Sequence, residues 1–180
     1  TFNTRVVSPI WISSPSPARH VASSGRNVAP VRSALVPAPL RLWQRQALER
    51  YEAADPEDFL VSATPGAGKT TFALTLAERL RARKVVNRVV VVVPTDHLRT
   101  QWADAAAAAS VSLDPKLTNS AGPLRPGFDG YVTTYAQVAA HPMLHRARTQ
   151  NARTLVILDE IHHGGDGLSW GEAVTEAFTP

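Results

Sequence analysis

The sequence predicts an α/β fold in which a mainly parallel sheet is covered by helices on both sides. Val89–Val93 is a run of five valines, and such a run suits a strand that is buried on both faces. Other wholly apolar segments alternate with amphipathic ones along the chain, which is the order expected of a layered α/β domain. A glycine-rich turn also joins one apolar segment to a helical one, as in many α/β domains that bind phosphate.

Length and composition limit what the chain can be. Its 180 residues are enough for about one domain with a sizeable core. Hydrophobic residues make up 44% and charged residues 19%, which is typical of a globular protein. No apolar run approaches the roughly 20 residues that cross a bilayer, so we expect no membrane partner. The chain has no cysteine, which excludes disulfides and suits a reducing compartment such as the cytoplasm.

Residues 1–38 are predicted to form a disordered, basic leader rich in proline and serine. Residues 1–40 hold four arginines, six of the fourteen prolines and no acidic residue, whereas the rest of the chain holds 15 basic and 15 acidic residues. The net charge of +4 therefore belongs to this segment, whose periodic apolar content is too low for packing. An organelle transit peptide shares this composition, but the prolines oppose the amphipathic helix that such peptides form.

The ordered domain is predicted to span residues 39–180. Apolar residues recur at helical spacing from Leu40 to Tyr51, and Asp55-Pro56 ends this first helix. Phe59–Val61 is predicted to be a short buried strand, and a helix through Arg83 follows the glycine-rich turn. After the valine strand, the predicted elements are a helix capped by Thr95 or Asp96 and ending at Ala109, a loop over Ser110–Gly130, a strand over Tyr131–Thr134, a helix over Tyr135–Arg148 restarted at Pro142, and a strand over Leu155–Leu158.

The glycine-rich turn is the strongest chemical signal. It follows the pattern Ala-x-x-Gly-x-Gly-Lys-Thr from Ala63, and a strand, a glycine-rich turn and Lys-Thr at a helix start surround phosphate oxygens with backbone N–H groups. Lys69 is predicted to reach the β- and γ-phosphates of ATP, and the Thr70 hydroxyl to bind Mg²⁺. The predicted nucleotide contacts are Thr64, Pro65, Gly66, Ala67, Gly68, Lys69, Thr70 and Thr71.

An acidic pair, Asp159-Glu160, follows the apolar segment Leu155–Leu158. Open α/β sheets place their ligands at the carboxyl ends of strands. Asp159 is therefore predicted to hold Mg²⁺, and Glu160 to orient the water that attacks the γ-phosphate. Such a pair alone is a common turn, but together with the phosphate loop it indicates an ATPase whose catalytic residues are Lys69, Asp159 and Glu160.

These motifs resemble those of a known family. Asp159-Glu160-Ile161-His162 resembles the Asp-Glu-x-His box of superfamily two helicases of the DEAD/DEAH type, and the loop that begins at Ala63 is similar to their first motif. The resemblance covers residues 40–180 and implies a RecA-like P-loop NTPase domain, a three-layer sandwich with a mainly parallel sheet. It also implies an ATP-dependent helicase or translocase that moves along nucleic acid.

The segment before the loop narrows the resemblance. Leu40–Gln44 resembles the branch that includes restriction-enzyme subunits and DNA-repair helicases, which implies that Gln44 contacts adenine and that the nucleic acid is DNA rather than RNA. In that family His162 would couple the ATP state to a second RecA-like lobe. The resemblance further implies contacts with the nucleic-acid backbone by Pro94, Thr95, Gln101, Trp102, Thr133 and Thr134.

Two alternatives remain open at this stage. In the family, a further motif and a second lobe with arginines that complete the ATP site follow the acidic box, and this sequence ends before them. We therefore expect this chain alone to hydrolyse ATP slowly and not to unwind a duplex. If it does not hydrolyse ATP at all, it is a nucleotide-binding or nucleic-acid-binding module. An unrelated P-loop ATPase would hydrolyse ATP regardless of nucleic acid. His141 and His145 lack a third ligand, so no zinc site is expected.

Overall fold

The computed structural model describes residues 5–10, 39–64, 66–160 and 167–179. These residues contain strands and helices in an alternating order. The strands are β1 (Arg5–Ile10), β2 (Arg88–Val93), β3 (Leu113–Asp114), β4 (Gly130–Thr134) and β5 (Thr154–Asp159). The helices are α1 (Leu42–Ala54), α2 (Lys69–Ala82), α3 (Asp96–Ala108), α4 (Tyr135–Ala140), α5 (Pro142–Thr149) and α6 (Gly167–Phe178).

The strands form one sheet in the order β1-β5-β2-β4-β3, and each pair of neighbours is parallel. Strand β2 lies at the centre, where Val91 is opposite Val132 of β4 and Ile157 of β5. The prediction of a mainly parallel sheet is confirmed. Because parallel strands end at the same edge, the residues after β2, β4 and β5 all lie along one side of the sheet.

The valine run explains the layering. Val89, Val91 and Val93 pack into a core cluster with residues of α1, α2 and α3. Val90 and Val92 point to the opposite face and pack in a second cluster with residues of α4 and α6. Successive side chains of a strand alternate between the two faces, so a strand that is covered on both sides needs apolar residues throughout. The predicted three-layer α/β sandwich is therefore confirmed.

The structure departs from the predicted elements in two strands. The extended segment Phe59–Val61 does not join the sheet, and Leu60 is 65% exposed. The edge of β5 is instead paired with Arg5–Ile10, six residues of the segment predicted to be disordered. A stretch with two valines and an isoleucine suits a strand, and an open edge offers unpaired backbone groups to it. The prediction for residues 11–38 lies outside the described residues.

The helices agree more closely with the sequence reading. Helices α1, α2 and α3 lie within two residues of their predicted bounds, and Pro142 begins α5 after a break at His141. The short strand β3 and the helix α6 are additional elements. Among the described helices, none combines the length and apolar character needed to cross a membrane.

Candidate phosphate-binding site

The glycine-rich loop leads directly into α2. Gly66 and Gly68 have φ angles of +70° and +88°, in the left-handed region that favours glycine. Gly68 is the N-cap of α2, and its carbonyl oxygen accepts the Phe72 N–H at 3.0 Å. The N-terminus of α2 therefore opens at the loop, where free backbone N–H groups and the helix dipole attract anions. Pro65, a predicted nucleotide contact, lies outside the described residues.

Lys69 interacts both with the loop and with the charges at the end of β5. The side chain is buried, and its ammonium group donates a hydrogen bond to the carbonyl oxygen of Ala63. Burial lowers the pKa of Lys69, whereas the negative charges of Asp159 and Glu160 raise it. Those two charges act on Lys69 because the fold places the loop beside the end of β5. The structure thus brings together the three residues that the sequence predicts to be catalytic.

Asp159 is the last residue of β5 and is 3% exposed. Its Oδ2 accepts a hydrogen bond from the indole N–H of Trp102 at 2.7 Å, while Oδ1 is buried without a hydrogen-bond partner among the described residues. The pKa of Asp159 is raised to about 7, mainly by burial; the Trp102 hydrogen bond opposes this shift, the charge of Glu160 adds to it, and the charge of Lys69 opposes it. A buried carboxylate oxygen without a partner is costly, which is typical of a site that holds a cation.

Glu160 sits in a strained backbone conformation next to Asp159. Its φ angle is 49° and the residue is buried. For a residue other than glycine, this left-handed conformation costs about 1–2 kcal/mol. Residues in such conformations persist when their surroundings fix them, and they concentrate at functional sites. The left-handed conformation lies at the residue that directly follows β5, beside Asp159.

Two aromatic residues support this edge of the sheet. The hydroxyl group of Tyr135 donates to the Asp159 carbonyl oxygen at 2.9 Å, and its ring stacks on Trp170 at 5.1 Å between centroids. Burial raises the pKa of Tyr135, and the charges of Asp159 and Glu160 raise it further, so the hydroxyl stays protonated as a donor. Sequence reasoning missed this contact because 24 residues separate the two partners.

The residues present fit a magnesium ion. Mg²⁺ prefers hard oxygen ligands and binds proteins through one or two carboxylates, waters and substrate phosphates. Asp159 offers the unpartnered Oδ1, and Thr70 lies half-buried in the first turn of α2. In the described part of the chain, no group of three or more His, Asp or Glu side chains converges on a metal site. His145 is instead buried against Tyr131 and Asn119.

The structure separates the residues predicted to contact nucleic acid. Thr95 and Gln101 are exposed and Pro94 is half-buried, so the start of α3 is accessible. Trp102 is buried and faces Asp159. Thr133 and Thr134 are buried too, and the Thr134 hydroxyl accepts the Gln137 N–H as a helix cap. The burial of these three favours structural roles over direct contact with nucleic acid. His162 lies outside the described residues.

Gln44, the predicted adenine contact, also lies at the loop. The side chain is 2% exposed. Its Nε2 donates to the Gly68 carbonyl oxygen at 2.7 Å, and its Oε1 accepts the Arg41 N–H at 2.7 Å. The family resemblance implied that Gln44 contacts adenine, and the structure places Gln44 beside the phosphate loop. Both polar atoms of the side chain therefore have a partner within the protein.

This arrangement defines the class of protein: a parallel α/β domain with a RecA-like fold, in which a phosphate loop opens a helix beside a buried Asp-Glu pair. Within that class, the chain belongs to the family of the res subunit of type III restriction enzymes, which it matches over residues 38–180. This is the superfamily two helicase family that the sequence motifs resemble.

Three mycobacterial proteins are similar to this chain. An uncharacterized protein of Mycobacterium tuberculosis, found in strains CDC 1551 and H37Rv, is 56% identical over 146 residues, which is 81% of this chain and 24% of that protein. An uncharacterized protein of Mycobacterium leprae is 55% identical over 141 residues, 78% of this chain and again 24% of the relative. The chain thus spans about a quarter of the length of these relatives. No solved structure matches it.

Proposed function

We propose that this chain is the ATP-binding lobe of an ATP-dependent helicase or translocase that acts on DNA. One observation carries the proposal: Lys69 of the phosphate loop and the Asp159-Glu160 pair of β5 converge in a buried site that contains an unpartnered carboxylate oxygen. A lysine and backbone N–H groups that bind phosphate, a carboxylate that can hold Mg²⁺ and an acidic residue that can position water are recurring parts of phosphoryl-transfer sites. The family that the chain belongs to is of the helicase type.

In this proposal the loop binds the triphosphate. The N–H groups of residues 68–71 face the phosphates, and the Lys69 ammonium group exchanges the Ala63 carbonyl oxygen for β- and γ-phosphate oxygens. That exchange replaces a neutral acceptor with an anionic one, which strengthens the hydrogen bond. Gln44 would contact the adenine base through its side-chain amide, which carries both donor hydrogens and acceptor lone pairs.

Thr70 and Asp159 would hold Mg²⁺, which neutralises charge on the γ-phosphate when it is bound. Glu160 orients the attacking water and accepts its proton. Burial of the pair keeps bulk water out and strengthens the electrostatic interactions within the site. Trp102 and Tyr135 keep the end of β5 in place while the charge changes.

Nucleic acid would approach the exposed start of α3. Thr95 and Gln101 are accessible there, and hydroxyl groups, amides and helix N-termini commonly contact phosphates without reading sequence. Such contacts suit a motor that must accept every base. His162 would carry the ATP state to a second lobe supplied by the longer protein, and the absence of cysteine suits a cytoplasmic location.

The test is an ATPase assay without polynucleotide, with DNA and with RNA, on this chain and on the full-length Mycobacterium tuberculosis relative. Glu160→Gln of this chain is the control, because it removes the proposed base while keeping size. Turnover that DNA stimulates more than RNA supports the proposal. ATP binding without turnover in both proteins identifies a binding module, turnover that ignores nucleic acid identifies an unrelated ATPase, and no nucleotide binding overturns the proposal.

A further inference from the structure

The start of α1 forms hydrogen bonds with the phosphate loop, on the side opposite the proposed phosphate site. Three of its side chains each donate to a different, successive carbonyl oxygen of the loop. Arg41 donates to Gly66 at 3.0 Å and the Trp43 indole N–H donates to Ala67 at 3.1 Å. The third of these bonds is the one from Gln44 to Gly68. One donor therefore lies at each of the last three carbonyl oxygens before α2.

These bonds fix the orientation of the peptide groups. A trans peptide group is planar, so its carbonyl oxygen and its N–H point in opposite directions, and the described residues contain no cis peptide bond. When Trp43 draws the Ala67 carbonyl toward α1, the N–H of Gly68 points away from α1. The Gly68 carbonyl, held in the same way, directs the N–H of Lys69. Both donors then face the side of the loop where phosphate binds.

The start of α1 is itself firmly placed. The Trp43 ring packs on Phe72 of α2, with 5.7 Å between the ring centroids, and Leu48 and Tyr51 of α1 lie in the core. The Arg41 N–H is bonded to the Gln44 side chain, so the donors are also linked to each other. A rigid support of this kind lowers the cost of ordering the loop when a ligand binds.

We propose that Trp43, assisted by Arg41, is a positioning residue that presets the phosphate loop for polyphosphate, acting through the Ala67 and Gly66 carbonyl oxygens. The inference rests on the proposed function and adds a residue whose effect is independent of the base. Since the bonded carbonyls belong to the loop, losing them weakens binding of any ligand that carries a triphosphate. ATP, GTP and inorganic tripolyphosphate are therefore affected to the same degree.

The experiment compares the intact chain with Trp43→Phe, Arg41→Ala and Arg41→Lys. Trp43→Phe keeps an aromatic ring against Phe72 and removes the N–H. Calorimetric titration with the magnesium complexes of ATP, GTP and tripolyphosphate is expected to give about 3- to 10-fold weaker binding of all three by Trp43→Phe, the loss expected for one hydrogen bond. Arg41 is exposed, so Arg41→Ala is expected to cost about 2-fold, and Arg41→Lys restores most of that loss.

The outcomes separate this inference from the proposed function. If the intact chain binds none of the three ligands, the proposed function falls and the inference falls with it. If the intact chain binds and both Trp43→Phe and Arg41→Ala bind equally well, the inference is overturned and the proposed function stands. A loss confined to ATP also overturns it, because Trp43 would then read the base. Arg41→Ala alone decides the question if Trp43→Phe does not fold, because the Arg41 side chain is exposed.

Discussion

The indole nitrogen of Trp102 lies 2.7 Å from Oδ2 of Asp159, and both side chains are buried. A hydrogen bond to a charged acceptor in a buried site is stronger than one in water. It also fixes which carboxylate oxygen faces the protein, leaving Oδ1 as the oxygen that is free for a cation. Trp102 belongs to α3, whose exposed start is the proposed nucleic-acid contact, so one helix reaches both the surface and the proposed magnesium ligand.

Trp102→Phe is expected to raise the Mg²⁺ concentration needed for half-maximal ATP binding by about 3- to 10-fold, because the aspartate loses a charge-assisted hydrogen bond and its fixed orientation. Titration of Mg²⁺ at a constant, subsaturating ATP concentration measures this change. Trp170→Phe is the matched control, since Trp170 stacks on Tyr135 and is not bonded to Asp159. An equal shift in both variants would show that the effect is general loss of packing.

The residues of the site are expected to separate binding from chemistry. Lys69→Ala should weaken ATP binding by about 100-fold, because it removes the positive charge that faces the phosphates. Glu160→Gln should bind ATP within about 3-fold of the intact chain while hydrolysis of the bound ATP falls at least about 100-fold. Fluorescent ATP titration and single-turnover hydrolysis measure the two effects. Equal loss of binding in two folded variants would contradict the assigned roles.

Much of the fold could be predicted from the sequence because local patterns decide it. The valines of β2 pack in two clusters on opposite faces of the sheet, which requires the unbroken apolar run seen in the sequence. Phe59–Val61 is equally apolar, yet it stays outside the sheet, while Arg5–Ile10 pairs with β5. Which segment occupies an edge depends on competition among distant parts of the chain, and a local pattern does not report it.

In the candidate site, too, local motifs could be predicted from the sequence and long-range contacts could not. Spacing alone predicted the loop residues and Asp159-Glu160, and the structure brings Lys69 beside both carboxyl groups. Trp102 was predicted to contact nucleic acid, but in the structure its indole N–H donates to Asp159, which is 57 residues further along the chain. A long-range hydrogen bond of this kind leaves no periodic trace in the sequence. The loop contacts of Trp43 were missed for the same reason, since 24 residues separate the donor from its acceptor.

Two glycines of the loop are expected to differ in their tolerance of a methyl group. Both have positive φ angles, but an added Cβ would meet nothing within 4 Å at Gly66 and would lie 2.7 Å from Nε2 of Gln44 at Gly68. Gly66→Ala should therefore lower the free energy of unfolding by about 1 kcal/mol from backbone strain alone. Gly68→Ala should cost about 2–4 kcal/mol, because Gln44 must also move.

Urea unfolding of the two glycine variants measures the difference. Gly66→Ala is the control for backbone strain, since its added Cβ would meet no atom within 4 Å. Combining Gly68→Ala with Gln44→Ala should recover part of the loss, as expected for neighbouring residues whose effects are not additive. Equal destabilisation by both glycine substitutions would mean that Gln44 does not restrict the loop.

The last prediction concerns acid stability and depends on His145. The ring is buried: its Nε2 lies 3.2 Å from the Asn119 side-chain oxygen, which can only accept, and its Nδ1 lies 3.1 Å from the Tyr131 hydroxyl group. In the neutral ring, these partners place the proton on Nε2 and make Nδ1 the acceptor of the Tyr131 hydroxyl hydrogen. The pKa of His145 is lowered from 6.5 to about 4, mainly by burial and also by the charge of Arg148, while a backbone hydrogen bond with Gln137 opposes the shift. In the unfolded chain the ring binds a proton more readily, so its contribution to stability is present above pH 6.5 and is lost as the pH falls toward 4.

Over that range the intact chain should lose about 2–3 kcal/mol more stability than His145→Gln, as measured by urea unfolding at several pH values. His97→Gln, which removes an exposed histidine, should keep the pH dependence of the intact chain. If His145→Gln also keeps it, His145 is not neutral in the folded protein.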